Sequence, residues 1–255
     1  MKIGIIADVH GNFEALKTVM GELAREKVDR LINAGDNIGY SPYPNECIKV
    51  LKSDGIYNIM GNYDDSVGNK REDSGCPEGD VESRRLRLAS LRWTYFHTDS
   101  DYRKYLAALP KTLRFNLAGK VFFAMHGGLG SLCESIQERD TGPLANIADV
   151  LVADVVVMGH THRPFVRHVK GKTFINPGSV GKPADGDPRA SYAVVEIGDE
   201  VKVDFKRVEY DVEKAARDLE SSGLPMEIGN LLRKGVETVS GWIPPVYHLI
   251  NKGAY

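Results

Sequence analysis

Histidine, aspartate and asparagine recur in this chain at the ends of short apolar runs. Val155-Val156-Val157-Met158-Gly159 leads directly into His160-Thr161-His162. In extended backbone an i, i+2 spacing turns both imidazoles to one side, and the glycine frees the chain to turn where the strand stops. The habit repeats: Ile3-Gly4-Ile5-Ile6-Ala7 precedes Asp8-Val9-His10, Leu31-Ile32-Asn33-Ala34 precedes Gly35-Asp36, Ile56–Met60 precedes Gly61-Asn62, and Val121–Met125 precedes His126-Gly127. A single histidine is ordinarily a satisfied surface or core residue. Metal-capable side chains at successive strand ends point instead to convergence on one site.

Such ends converge only if the strands lie side by side. Lys2–Ala7 reads as a strand, followed by a helix over 12–27 with Phe13, Leu16, Met20 and Leu23 at helical spacing and Asn12 as N-cap. A strand at Arg30–Asn33, a break at Ser41-Pro42-Tyr43-Pro44, a helix over 45–52 and a strand at Ile56–Met60 continue the alternation. Strand and helix in turn predict a parallel sheet with its chemistry beyond the carboxyl ends. From Asp64 to Gly79 the chain is polar and aperiodic and reads as a loop. Two helices, Val81–Phe96 and Asp101–Leu109, complete an insertion over residues 64–110 at the mouth of the site. A hairpin, Leu113–Leu117 with Val121–Met125, precedes a helix from Thr141 to Val152 and the strand Asp154–Met158. Phe165–Val169, Lys172–Ile175, Ser191–Ile197 and Val201–Val208 have no helices between them and predict a second, mainly antiparallel sheet. A helical pair, Val212–Leu219 and Met226–Arg233, and a tail with Trp242 and Pro244-Pro245 close the chain. The tail's apolar content suggests docking on the body or on a second copy, making a homo-oligomer one expectation. The whole reads as one α/β domain over 1–255, two sheets face to face with helices outside.

The chain has 255 residues, 42% apolar and 27% charged, an ordinary composition for a water-soluble globular domain. The 33 Lys and Arg nearly cancel the 35 Asp and Glu, so charge argues for neither a nucleic-acid nor an anionic-membrane partner. Three cysteines, Cys47, Cys76 and Cys133, form no CxxC pair; the odd count argues against a disulfide framework and fits a reducing cytoplasm. No run approaches the roughly 18 apolar residues of a membrane span.

Asp8-x-His10, Gly35-Asp36, Gly61-Asn62-Tyr63-Asp64, His126-Gly127 and Gly159-His160-Thr161-His162, in this order and over roughly the first 180 residues, resemble the calcineurin-like metallophosphoesterases, whose pattern is DxH, GDxx, GNHD/E, H and GHxH. Asn176-Pro177-Gly178-Ser179-Val180-Gly181 also resembles the turn after the last histidine block in the small bacterial and archaeal branch. The resemblance implies a four-layer αββα sandwich and a binuclear phosphoesterase acting through a metal-bridging hydroxide. Carried over by motif, one ion would be held by Asp8, His10, Asp36 and His162, the other by Asp36, Asn62, His126 and His160, with Asp36 shared. Imidazole, carboxylate and amide oxygen without thiolate suit divalent manganese first, with iron or zinc as alternatives. Asn62, Tyr63, Asp64 and His126 form the implied catalytic group.

One block departs from the pattern. Where the family has a histidine that protonates the leaving group, this chain has Tyr63. Tyrosine titrates near 10 and is a poor donor at neutral pH, and a missing general acid costs about 10² to 10⁴ in rate, most for poor leaving groups. Phosphodiesters with aryl leaving groups and nucleotide phosphoanhydrides therefore come ahead of alkyl monoesters. Asp64 and His97 are alternative donors; His97, His168 and His248 otherwise read as ordinary solvent histidines. Arg84, Arg85, Arg87 and Arg92 crowd one predicted helix. Spacing alone does not separate a solvated face from phosphate capture; Arg85 and Arg92 are the substrate-binding candidates. The expected partner is a small phosphate-containing substrate, possibly a nucleotide. The competing reading is a non-catalytic metal-binding scaffold on the same fold.

Overall fold

A computed structural model describes residues 1–77 and 79–237; the tail at 241–255 lies outside them. The opening half alternates strand and helix: β1 (Lys2–Ile6), α1 (Phe13–Arg25), β2 (Arg30–Asn33), α2 (Pro44–Leu51), β3 (Ile56–Asn58). Three helices follow, α3 (Asn62–Gly68), α4 (Val81–His97) and α5 (Ser100–Ala107), then β4 (Thr112–Leu117), β5 (Lys120–Met125), α6 (Thr141–Val150) and β6 (Val155–Val157). The last elements among the described residues are β7 (Pro164–Val169), β8 (Lys172–Pro177), β9 (Ala190–Ile197), β10 (Val201–Val208), α7 (Val212–Ser221) and α8 (Met226–Lys234).

Two five-stranded mixed sheets form, in the orders β10-β9-β1-β2-β3 and β4-β5-β6-β8-β7. β1, β2 and β3 run parallel, as do β5, β6 and β8. The inner faces meet in one buried cluster, with Ile3, Ile5 and Ile32 opposite Phe122, Val157 and Ile175. Outside it, α1 and α2 cover the first sheet through Leu16, Val19 and Leu51, and α6 covers the second through Leu144 and Ile147. This is the expected αββα layering. Parallel inner strands are buried on both faces, which is why their sequences are unbroken apolar runs rather than alternating ones.

Three local expectations are corrected. β9 and β10 do not join the second sheet: β9 pairs antiparallel with β1 and carries β10 to the edge of the first. Short connections fix which strands are neighbours in sequence, not which sheet they enter. Residues from Asp64 do not begin a loop, because Asn62–Gly68 is helical; Asp64 turns back to accept from the Gly61 N–H at 2.9 Å and caps its start. Cys76 and Cys133 are disulfide-bonded across 57 residues, leaving Cys47 free and buried. An odd count leaves room for one bridge, so it gives no ground for a reducing compartment. Among the described residues no helix is long and apolar enough to cross a membrane.

Candidate metal centre

The loops after β1 and β2 are laced together by backbone bonds beyond the strands, Asp8 N to Gly35 O at 2.9 Å, His10 N to Asp36 O at 3.0 Å and Gly11 N to Asn37 O at 3.1 Å, and the loop after β3 joins them where the Tyr63 N–H donates to Asp36 Oδ1 at 2.8 Å. From the second sheet, the His160 N–H donates to the Asp8 carboxylate at 3.0 Å. The Asn176–Gly181 turn is tied to the same place, the Ser179 hydroxyl donating to Asp8 O at 2.7 Å. Gly61 presses so closely on Asp36 that a Cβ there would lie 2.2 Å from the Asp36 nitrogen. Asp8, His10, Asp36, His160 and His162 all have left-handed φ, between 49° and 68°. Side chains adopt that region at a cost of about 1 kcal/mol or more each, and such strain gathers at functional sites.

The side chains form two adjoining groups. His10 Nε2 and His162 Nε2 are 3.0 Å apart, with Asp8 Oδ1 3.5 Å from His162 and Asp36 Oδ2 3.7 Å from His10. On the other side Asn62 Oδ1 is 3.1 Å from both His126 Nε2 and His160 Nδ1, and Asp36 Oδ2 is 3.5 Å from His126. Asp36 Oδ2 thus lies within reach of both groups, as a shared ligand must. Asp8 Oδ1 is also 3.9 Å from His126, so the two halves are not cleanly separated on that side.

A cation explains this arrangement where hydrogen bonding does not. Nδ1 of His10 faces Ile38 O at 3.2 Å and Nδ1 of His126 faces Ala34 O at 2.7 Å. A proton on each Nδ1 satisfies those carbonyls and turns the Nε2 lone pairs inward. Imidazole nitrogens crowded against one another and against carboxylates fit divalent metal: Asp8, His10 and His162 form one such group and Asp8, Asp36 and His126 a second, with Asn62 and His160 beside His126.

Without metal the electrostatics divide the ligands. Burial lowers His10 to about 3 and His160 to about 4. Burial also works against charge on His126, but the Asp36 carboxylate, with Asp8 and the Ala34 carbonyl, outweighs it and raises His126 to about 9. Burial acts to raise Asp36, and the His126 and His10 rings more than reverse it, holding the carboxyl below the ordinary range.

The centre opens into a cavity of about 490 Å³ that reaches His10, Asp36, Asn62, Tyr63, His160 and His162. Tyr63 is buried on its wall, its hydroxyl 3.5 Å from Arg87 O and its ring 4.9 Å from that of Tyr40. Burial, then the Tyr40 hydroxyl, pushes Tyr63 well above the usual phenol range. Asp64 lies behind the centre, fully buried, accepting from Asn37 N at 3.0 Å, Asn37 Nδ2 at 2.7 Å and Gly61 N. Burial and repulsion by Asp36 raise it to about 7 against those donors. It braces the loops carrying Asp36 and Asn62 and does not line the cavity. His97 is exposed and stacked on Trp93.

The substrate-binding candidates fall elsewhere. Arg85 is tied to Glu82 and Glu227 on the surface, and Arg92 is exposed; neither lines the cavity. The guanidinium that does is Arg87, one of the four arginines but not one of the two chosen. Lys182 also lines the cavity and was missed altogether, although it directly follows the Asn176–Gly181 turn. From the inserted segment Cys76 and Pro77 join Arg87 there, whereas α5 packs behind, on α3.

Residues 1–200 match the calcineurin-like phosphoesterase superfamily domain. A metallophosphoesterase of Sphaerobacter thermophilus, seen in a crystal structure, is 30% identical with a TM-score of 0.76, covering 92% of this chain and 99% of its own. A hypothetical protein of Pyrococcus horikoshii shares the fold at 22% identity and a TM-score of 0.78, over 93% of this chain and 99% of its own. An uncharacterised protein of Methanocaldococcus jannaschii is 29% identical over 250 residues, 91% of this chain and 98% of that one. With so long a match on this fold, the chain belongs to the calcineurin-like phosphoesterase superfamily.

Proposed function

We propose that this protein is a binuclear metal-dependent phosphoesterase that hydrolyses phosphodiesters or nucleotide phosphoanhydrides in small, soluble substrates. Support comes above all from Asp36, whose Oδ2 lies 3.7 Å from His10 Nε2 and 3.5 Å from His126 Nε2, between two imidazole groups drawn from different strand ends. Divalent ions, manganese first among them, would supply water acidified toward neutral pH and positive charge against the nonbridging phosphate oxygens. The chain supplies the rest. Asp8, His10, Asp36, Asn62, His126, His160 and His162 fix the ions, and Asp64 and the Asn176–Gly181 turn hold those residues in place.

Leaving-group preference follows from Tyr63. Its hydroxyl is buried and less acidic than free phenol, so it is a poor proton donor to the departing oxygen. Substrates whose leaving group departs as a stable anion are favoured.

The test is turnover of bis(p-nitrophenyl) phosphate by protein loaded with manganese, beside Asp36→Ala. Hydrolysis lost in the variant supports the enzyme. A protein that holds manganese, turns over no ester in a broad panel and is indifferent to Asp36→Ala would be a scaffold.

A further inference from the structure

Two largely buried cations flank the mouth of the centre. Arg87 is only 9% exposed, and its Nε and Nη2 are buried with no hydrogen-bond acceptor among the described residues. The closest carboxylate oxygen, Asp73 Oδ1, lies 3.7 Å from Nε, beyond hydrogen-bond range. Lys182 is 7% exposed, its Nζ sits 4.6 Å above the Tyr40 ring, and the carboxylate that acts on it most is Glu237, which lines the same cavity. Both line the cavity that holds the metal ligands and also a smaller chamber of about 170 Å³ beside it. A third group in that chamber, the Ser83 hydroxyl, is buried with no hydrogen-bond partner among the described residues.

Burying charge without a partner is costly, and a protein tolerates it where a ligand supplies the partner. Two buried cations on two sides of one opening, one of them with two nitrogens lacking an acceptor among the described residues, describe an anion site, with the exposed Glu237 carboxylate at its rim. It adjoins a centre beside which Tyr63, a weak proton donor, is buried.

We propose that Arg87 and Lys182, with Ser83, form a subsite for a second phosphoryl group, so that the substrate class is a phosphoanhydride, cleaved with its leaving phosphoryl on these cations. The assignment rests on the phosphoesterase reading and narrows it. Water oxygen bonds to the phosphorus at the metal centre, and the bond from that phosphorus to the bridging oxygen breaks. Its electron pair stays on the bridging oxygen, which leaves as part of the second phosphate. One water proton goes to solvent and the other ends on a product phosphate. The departing group is an anion with a pKa near 6, so electrostatic neutralisation replaces protonation. Guanidinium and ammonium in a water-poor wall provide that neutralisation, and the tyrosine at position 63 ceases to be a defect.

Calorimetry on manganese-loaded protein freed of excess metal tests this with two hydrolysis-resistant probes, methylphosphonate and methylenediphosphonate. The wild type binds the bisphosphonate at least about tenfold more tightly, and Arg87→Met and Lys182→Met each reduce that preference by about tenfold or more, as expected for a lost charge-assisted contact. Preference unchanged in folded variants, or absent from the wild type, overturns the subsite. Absence of that preference in the wild type overturns the subsite even if a variant fails to fold. Bis(p-nitrophenyl) phosphate turnover separates the two failures. Without turnover or methylphosphonate binding the phosphoesterase reading itself fails; with both but no bisphosphonate preference, only the subsite does.

Discussion

Replacing Tyr63 by histidine puts an imidazole where the chain now has a buried phenol. The tyrosine is 2% exposed, and a Cβ added at Gly39, whose φ is +108°, would lie 2.4 Å from its ring. The smaller imidazole leaves a void against Gly39 and Tyr40, a loss of about 1 to 3 kcal/mol in stability. In return it offers a proton donor titrating near 6.5 in place of one pushed above 10. A positioned general acid is worth about 10² to 10⁴ in rate, or roughly 3 to 5 kcal/mol off the barrier. That gain goes to poor leaving groups. Alkyl phosphodiesters should speed up by about 100-fold or more, while p-nitrophenyl esters, which need no proton, change by less than about fivefold. Initial rates across alkyl, phenyl and nitrophenyl esters, with manganese content and melting temperature measured alongside, give the result as a flattened dependence on leaving-group pKa. If variant and wild type show the same slope while both retain metal, Tyr63 does not occupy the acid's place and the leaving-group argument falls.

Asp36→Asn should weaken both ions together by more than about 100-fold, since the loss of even an outer partner costs about 10 to 100-fold; elemental analysis that finds one ion retained would refute the shared ligand. Metal binding at pH 7.5 should release about one proton, because His126 at about 9 is protonated there and must be neutral to ligate, whereas His10 at about 3 and His160 at about 4 have none to lose. Apparent affinity should therefore rise about tenfold per pH unit up to pH 9; calorimetry in buffers of different ionisation enthalpy checks the proton, and a flat affinity from pH 7 to 9 contradicts it. Cys133→Ser opens a closure of 57 residues, worth about 4 kcal/mol in the chain-entropy picture. A melting temperature lower by roughly 10 °C follows, and one unmoved by the substitution would show that the bridge does not restrain the native chain.

The side chains that gather at the proposed metal centre were legible because they follow closely on strand ends, and buried parallel strands announce themselves as apolar runs. The sheet that receives β9 was not legible, since its pairing with β1 joins Ile3 to Val195 across most of the chain and no local pattern encodes that. Which arginine of α4 turns inward was also hidden. That helix buries Leu86, Arg87, Ser90, Leu91 and Thr94, a polar and apolar mixture with no apolar stripe to mark its inner face. Lys182 carried a weak signal, a lysine one residue beyond a turn that returns to the rim. The Cys76–Cys133 bridge depends on two loops meeting at the cavity, which only the assembled layers bring about.

The most direct test of the account is a crystal of manganese-loaded protein, with anomalous diffraction recorded at the manganese edge. Two peaks about 3.5 to 4 Å apart are predicted, one ligated by His10 and His162, the other by Asn62, His126 and His160, with Asp36 touching both. A single peak, or none at saturating manganese, would contradict the binuclear centre on which the proposed chemistry depends.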